Sequence, residues 1–388
     1  MKGSQISYLW KSPDAACGFA TGVSLHSHTN RSRETLDFVV NALSGDGFSG
    51  RLFRRLEHGY TGRAAKKPDY ARAWWTPPLT PRLAFDLERR QIETALQLPA
   101  LVSITDHDTI EAPQLLRTVA SARHIPVSVE WSVPFGGDQS FHLGIHNLPS
   151  DQGAGWMQTF AEFTASPSDA RLTELLSALH ALPNVLIVFN HPMWDLYKIG
   201  AEKHRVRMHE FLTRNVEFLH AFELNGLRNW DENRAVRKLA SCWERLLISG
   251  GDRHGLEPNA NVNLTHATSF NQFVHEVRRE RCSHVLFMRQ YAQPWKHRIM
   301  QSTLDAVRDY PDFPEGSRRW DERVFYPNDA GVPLPVSQLW PSGAAPLALR
   351  VAIRSVRLMG CAPFSGSLRF AWSESRQLQF ALGEGEAV

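Results

Sequence analysis

The chain has no apolar run able to cross a bilayer: its longest aliphatic stretch, around Val185 to Phe189, is far short of the roughly 20 residues a membrane helix needs. No apolar core of signal-peptide length follows the first methionine, so the expected location is the cytoplasm. Cysteine is scarce. Cys17, Cys242, Cys282 and Cys361 are scattered without CxxC spacing, which speaks against a thiolate zinc site and a disulfide framework. Strong charge is missing too, and a net +3 does not by itself point to nucleic acid. Low-complexity tracts are absent, and with 21% charged and 43% hydrophobic residues over 388 positions the composition is that of a folded chain with room for one large domain and an appendage, or for two domains.

What is present is an alternation. Short apolar segments stand at 22–26, 100–106, 126–131, 140–146, 184–190, 218–224 and 246–252. Helical patterns fall between most of them, at 82–98, 112–122, 169–181, 231–245 and 269–281. Strands alternating with helices imply an α/β fold with a largely parallel sheet, and this number of units favours a barrel. The segment at 140–146 follows its predecessor too closely for an intervening helix, which implies a local hairpin or a distortion.

Two stretches break the alternation. Residues 45–81 are rich in Gly, Pro, basic and aromatic residues, including Trp74-Trp75, and read as a lid, an oligomer contact or a plain surface insertion. From Arg51 to Arg90 there are ten Lys or Arg against four Asp or Glu, an excess suited to an anionic substrate or simply to a solvated surface. Beyond about Pro314 the chain turns Pro-rich and then period-two, in LALRVAIRSVRL and SLRFAWS, which predicts a small β-rich appendage over 315–388 following a main domain over 15–310.

Imidazoles and carboxylates gather where the predicted strands end. His26 and His28 form an HxH pair whose alternate side chains share one side of an extended strand. Asp106-His107-Asp108, Glu130, His142, His191, and then Asp252 with His254 follow. Any one of these has an ordinary explanation, as a buried imidazole or a helix cap. Their conjunction would bury many polar groups at high cost unless something such as a metal satisfied them. Two cations about 4 Å apart can share and acidify a hydroxide that attacks a phosphate ester. Asp106 is read as an acceptor orienting an imidazole, with Glu223 and Asn225 of ELNG in similar parts. Arg228 and Arg253 are the candidate phosphate-binding cations.

The ordered motifs LHSHT at 25–29, TDHD at 105–108, VEW at 129–131, FHLG at 141–144, NHP at 190–192 and GDRH at 251–254 resemble the polymerase and histidinol phosphatase (PHP) family of metal-dependent phosphoesterases. The resemblance covers roughly residues 20–285 and implies a distorted seven-stranded β/α (TIM-like) barrel with two or three divalent ions of zinc, manganese or iron. It places His26, His28, Glu130 and Asp252 on a first metal. Glu130 would bridge to a second held by His142 and His191, and His107 and His254 would hold a third and help the leaving group depart. Where the family has Asp or His five or six residues after the second His, this chain has Arg33 and Glu34. Glu34 is taken as the replacement oxygen ligand; Arg33 turned inward would instead occupy the third metal's place.

The expected substrate is a phosphomonoester, with a nucleotide first in line. A nucleic-acid-directed phosphodiesterase or exonuclease, using Trp74-Trp75 and the basic segment, is one alternative. An amidohydrolase-type hydrolase is the other. Oligomeric state is not legible.

Overall fold

The computed structural model describes residues 3–36, 72–328, 330–340 and 343–360. Most of the 45–81 insertion and the SLRFAWS segment lie outside them. The strands are β1 (Gly3–Tyr8), β2 (Thr21–Ser24), β3 (Glu34–Thr35), β4 (Trp74–Trp75), β5 (Ala100–Val102), β6 (Val127–Phe135), β7 (Gln139–Leu148), β8 (Leu186–Asn190), β9 (Ala221–Asn225), β10 (Leu246–Gly250), β11 (Asn261–Thr265), β12 (Cys282–Phe287), β13 (Val324–Pro327) and β14 (Pro333–Pro335). The α-helices are α1 (Pro81–Leu96), α2 (Glu111–Arg117), α3 (Gly153–Ala165), α4 (Asp169–Ala181), α5 (Ala201–Asn215), α6 (Trp230–Cys242), α7 (Phe270–His275), α8 (Trp295–Val307), α9 (Val336–Leu339) and α10 (Leu347–Met359).

Every residue of β8, β9 and β10 is buried, which is why LIVFN, AFELN and LLISG read as nearly unbroken apolar runs. Helix starts are equally local in origin. Thr80, Ser168, Asn229 and Ser269 each accept a backbone N–H at an N-cap, and Pro81 takes the first turn of α1, where a missing N–H costs nothing.

The result is a mixed α/β fold with three sheets among the described residues, in the orders β1-β12-β11-β2-β5, β10-β9-β8-β7-β6 and β14-β13-β4-β3. The expected single barrel is thus not one continuous ladder. Its seven strands fall into two sheets, and β7 runs antiparallel to both neighbours as half of a hairpin with β6. Single parallel bridges, Ser27 with Arg253 and His107 with Glu130, link the two sheets where their polar residues gather. Against the second sheet packs an aromatic core in which Trp131 stacks on Phe160 at 4.3 Å and Phe141, Phe189, Phe211 and Phe222 interlock.

The segment LALRVAIRSVRL is not a strand pair but α10. Its alternation of Leu, Ala, Arg and Val suits either period, but Arg350, Arg354 and Arg357 fall at helical spacing, the residues are mostly good helix formers, and no Gly or Pro interrupts them after Pro346. The strands of this region, β13 and β14, are short; β14 pairs with β13, β13 with β4 and β4 with β3, so the C-terminal part shares a sheet with β4 of the insertion and with β3 before it. Among the described residues no helix is long and apolar enough to cross a membrane. Cys17, Cys242 and Cys282 are free thiols.

Candidate functional site

Glu130, midway along β6 and wholly buried, is the hub. Its Oε2 lies 2.9 Å from His26 Nε2, 3.3 Å from His28 Nε2 and 3.3 Å from His107 Nε2. Its Oε1 faces a second group, with His191 Nε2 at 3.1 Å, His142 Nδ1 at 3.3 Å and the donating Asn190 Nδ2 at 2.9 Å. Asp252 Oδ1 stands 3.6 Å from both His26 Nε2 and His28 Nε2, themselves 3.0 Å apart. To one side, Glu34 Oε1 is 2.8 Å from His254 Nε2. The ring of His28 stacks at 4.4 Å on His254 and at 4.8 Å on His107.

Four overlapping groups have spacings that could hold a metal ion: His28, Glu34, His107 and His254; His26, Glu130 and His191; His26, His28 and Asp252; and His107, Glu130 and His142. All nine residues singled out as ligands from the sequence therefore meet in one place.

The strand ends explain the convergence. After β2 the chain stays extended through His28, whose N–H donates to Arg253 O at 2.8 Å, while Asp108 N–H donates to Glu130 O at 3.0 Å. Asp108, His191 and Asp252 adopt positive φ of 53°, 27° and 53°, conformations that cost energy and that the surrounding bonds must enforce. Glu223 supplies one of those bonds, its Oε2 accepting His191 N–H at 2.8 Å, while its Oε1 lies 2.6 Å from His26 Nδ1. Its approach demands glycine at 250, where a Cβ would sit 1.5 Å from Glu223 Oε1. Asn225 Nδ2 donates to Glu223 and, at 3.1 Å, to Asp252 Oδ2.

Burial alone would raise the Glu130 carboxyl, but His26, His107 and His142 hold it well below the usual carboxylate range. For His28 burial is likewise outweighed, here by Asp252 and Glu130, and the ring is pushed up to about 10. Burial wins at His107 and His191, which are pushed below an ordinary histidine.

Two expectations need correction, and the choice between Arg33 and Glu34 falls to Glu34. Asp106 orients no imidazole; its carboxylate accepts Thr29 N–H at 2.5 Å and Thr29 O–H at 2.6 Å, fixing the turn after the HxH pair. Arg253 is turned away from the site and buried, its guanidinium donating to Glu88 Oε1 and the carbonyls of Gly255 and Leu256, so it does not face a substrate phosphate. Arg33 is exposed and lies 5.9 Å over Trp74, leaving Glu34 as the inward residue. Arg228 does reach the rim: its guanidinium lies 4.2 Å over Trp194, whose ring meets those of His191 at 5.0 Å and His142 at 5.8 Å.

Sequence reasoning gave no role to Asn190, Trp194 and Ser32, and used Trp75 only in the nucleic-acid alternative. Ser32 Oγ, 3.4 Å from His28 Nδ1, accepts His107 N–H at 3.0 Å, and Trp75 stacks 6.1 Å from His254. Asn190, inside NHP, was the one with a signal.

No family model and no curated protein matches this chain. Among solved structures, an amidohydrolase from Chromobacterium violaceum with bound sulfate and no metal is similar at 16% identity and TM-score 0.32, over 46% of this chain and 83% of that one. A candidate metal-dependent phosphoesterase from Bifidobacterium adolescentis is similar at 14% identity and TM-score 0.31, over 52% and 91%. Likeness this low leaves function to be argued from the residues themselves.

Proposed function

We propose that the protein is a metal-dependent phosphoesterase of the PHP type, its seven strands forming that family's distorted barrel. The observation that carries this reading is the double engagement of Glu130, whose two oxygens face separate sets of imidazoles. A carboxylate so placed suits a bridge between two ions.

The donor set fits divalent metals such as zinc, manganese or iron, being imidazole and carboxylate throughout. Glu34 Oε1 and His142 Nδ1 are buried without a well-aligned hydrogen bond in the protein, as ligand atoms awaiting an ion would be. His26, His28 and Asp252 would hold one ion with Glu130; Glu130, His142 and His191 a second; Glu34, His107 and His254 a third. Bound there, such ions supply Lewis acidity for hydrolysis of a phosphate ester.

The chain's own residues do the rest. Glu223 fixes the ring plane of His26 and the backbone of His191. Asp252 and Glu130 keep the site anionic. His107 and His254 are assigned to the side of the leaving group. Arg228, flattened on Trp194, is assigned to the substrate phosphate, since a guanidinium matches phosphate oxygens two at a time. Trp75 beside His254 and the basic insertion favour a nucleotide among phosphomonoesters.

The test is phosphate release from a panel of nucleotides and sugar phosphates after reloading with manganese or zinc. Metal-dependent release supports the reading; a loaded protein that cleaves amides or lactones but no phosphate ester contradicts it.

A further inference from the structure

Asp252 and His254 lie on a loop, residues 251–259, that is held from three sides by residues outside the site. Arg253, only 5% exposed, reaches away from the site to Glu88 on α1, where Nη1 donates to Oε1 at 3.1 Å. The same guanidinium donates back to its own loop, to Gly255 O at 2.9 Å and Leu256 O at 2.8 Å. Glu88 is 1% exposed, and its other oxygen accepts Ser24 O–H at 2.8 Å and an N–H of Asn259.

One carboxylate therefore ties the end of β2, which runs on into His26 and His28, to both ends of the loop that carries Asp252 and His254. Asp305 on α8 grips the middle, accepting Leu256 N–H at 2.6 Å and Glu257 N–H at 3.2 Å. Gln91 closes the far end through Asn259 N–H at 2.9 Å and Asn259 O at 2.7 Å. A strained residue such as Asp252 persists only where its surroundings fix it this thoroughly.

Resting on the metal reading above, we propose that Glu88 is a positioning residue for the third metal. Through Arg253 it sets the reach of His254 toward Glu34 and His107. This site depends on it most, because His254 lies one residue beyond the clamp and its partner Glu34 is on the two-residue strand β3, in a different sheet. Of the other two sites only the first draws on this loop, through Asp252, which Asn225 also holds from β9 at 3.1 Å.

The experiment is calorimetric titration of zinc or manganese into metal-free wild-type protein, Glu88→Gln, Glu88→Asp and the double variant Glu88→Leu with Arg253→Met, with metal-free melting temperatures alongside. Both single variants are expected to keep two metals and to bind the third about 10–100-fold more weakly. The double variant replaces a buried ion pair by apolar groups of similar size and so recovers melting temperature. It is expected not to recover the third metal.

A double variant that recovers both, or a folded single variant with wild-type titration, makes the pair purely structural and overturns the proposal. Wild-type protein that binds only two metals overturns it while sparing the phosphoesterase reading. Wild-type protein that binds none overturns both.

Discussion

Glu88 and Glu130 are buried to the same degree, at 1% and 0% exposure, yet the protein treats them oppositely. Glu88 has a permanent cation, Arg253, and its remaining lone pairs go to Ser24 and Asn259. Every partner it has is fixed by the fold. Glu130 has no arginine or lysine beside it among the described ion pairs, only imidazoles whose charge depends on protons. One carboxylate is neutralised for good, and the other by partners that can exchange a proton for an ion. That difference separates a permanently paired carboxylate from one whose neutralising partners can change.

Glu130→Gln should produce the largest effect, bringing phosphate release to background and metal content from three ions to one at most. Full loading in that variant would break the comparison at its centre. Glu88→Ala should instead damage the fold first, costing about 3–5 kcal/mol in denaturant unfolding of the metal-free chain because it strands the Arg253 charge. A loss below about 1 kcal/mol would mean the pair is not a permanent one.

Glu34→Ala should remove one ion and leave the other two, as elemental analysis would register. Arg228→Ala should raise KM roughly 10–100-fold, equivalent to about 1.5–3 kcal/mol for a lost hydrogen bond to a charged group. An unchanged KM would remove Arg228 from the substrate.

The smallest effect lies far from the site, at His220, where burial lowers the ring to about 2 and Nδ1 accepts Ile187 N–H at 2.9 Å. Because the folded value lies below the unfolded one, the unfolded chain takes up the proton first, and stability present above about pH 6.5 drains away as pH falls toward the folded value. His220→Gln should flatten the acid limb of the melting-temperature profile, and an unaltered limb would assign that instability elsewhere.

Much of this was legible beforehand, for physical reasons. Strands buried on both faces announce themselves as apolar runs, and LIVFN and LLISG did so. The His and Asp just beyond such ends were readable because such residues have few other reasons to sit there, while Glu130 lies midway along β6 instead of at its end. The direction of Arg253 was not, since a loop residue between two site residues has no strand parity to fix its side. Glu88 could not be picked out either: in LERRQIE it looks like any helix-surface glutamate, and only the arrival of Arg253 from 165 residues away reveals it. Asp106 failed similarly, because Thr29 reaches its carboxylate from the turn after the HxH pair, 77 residues away. The α10 segment failed because its pattern satisfied two periods at once.

The most direct test of the central claim is elemental analysis of purified, reloaded wild-type protein beside Glu130→Gln. Two or three divalent ions per wild-type chain, with the loss of at least two in the variant, is the expected result. A wild-type chain that takes up no metal, or a variant that holds as much as wild type, would contradict the account.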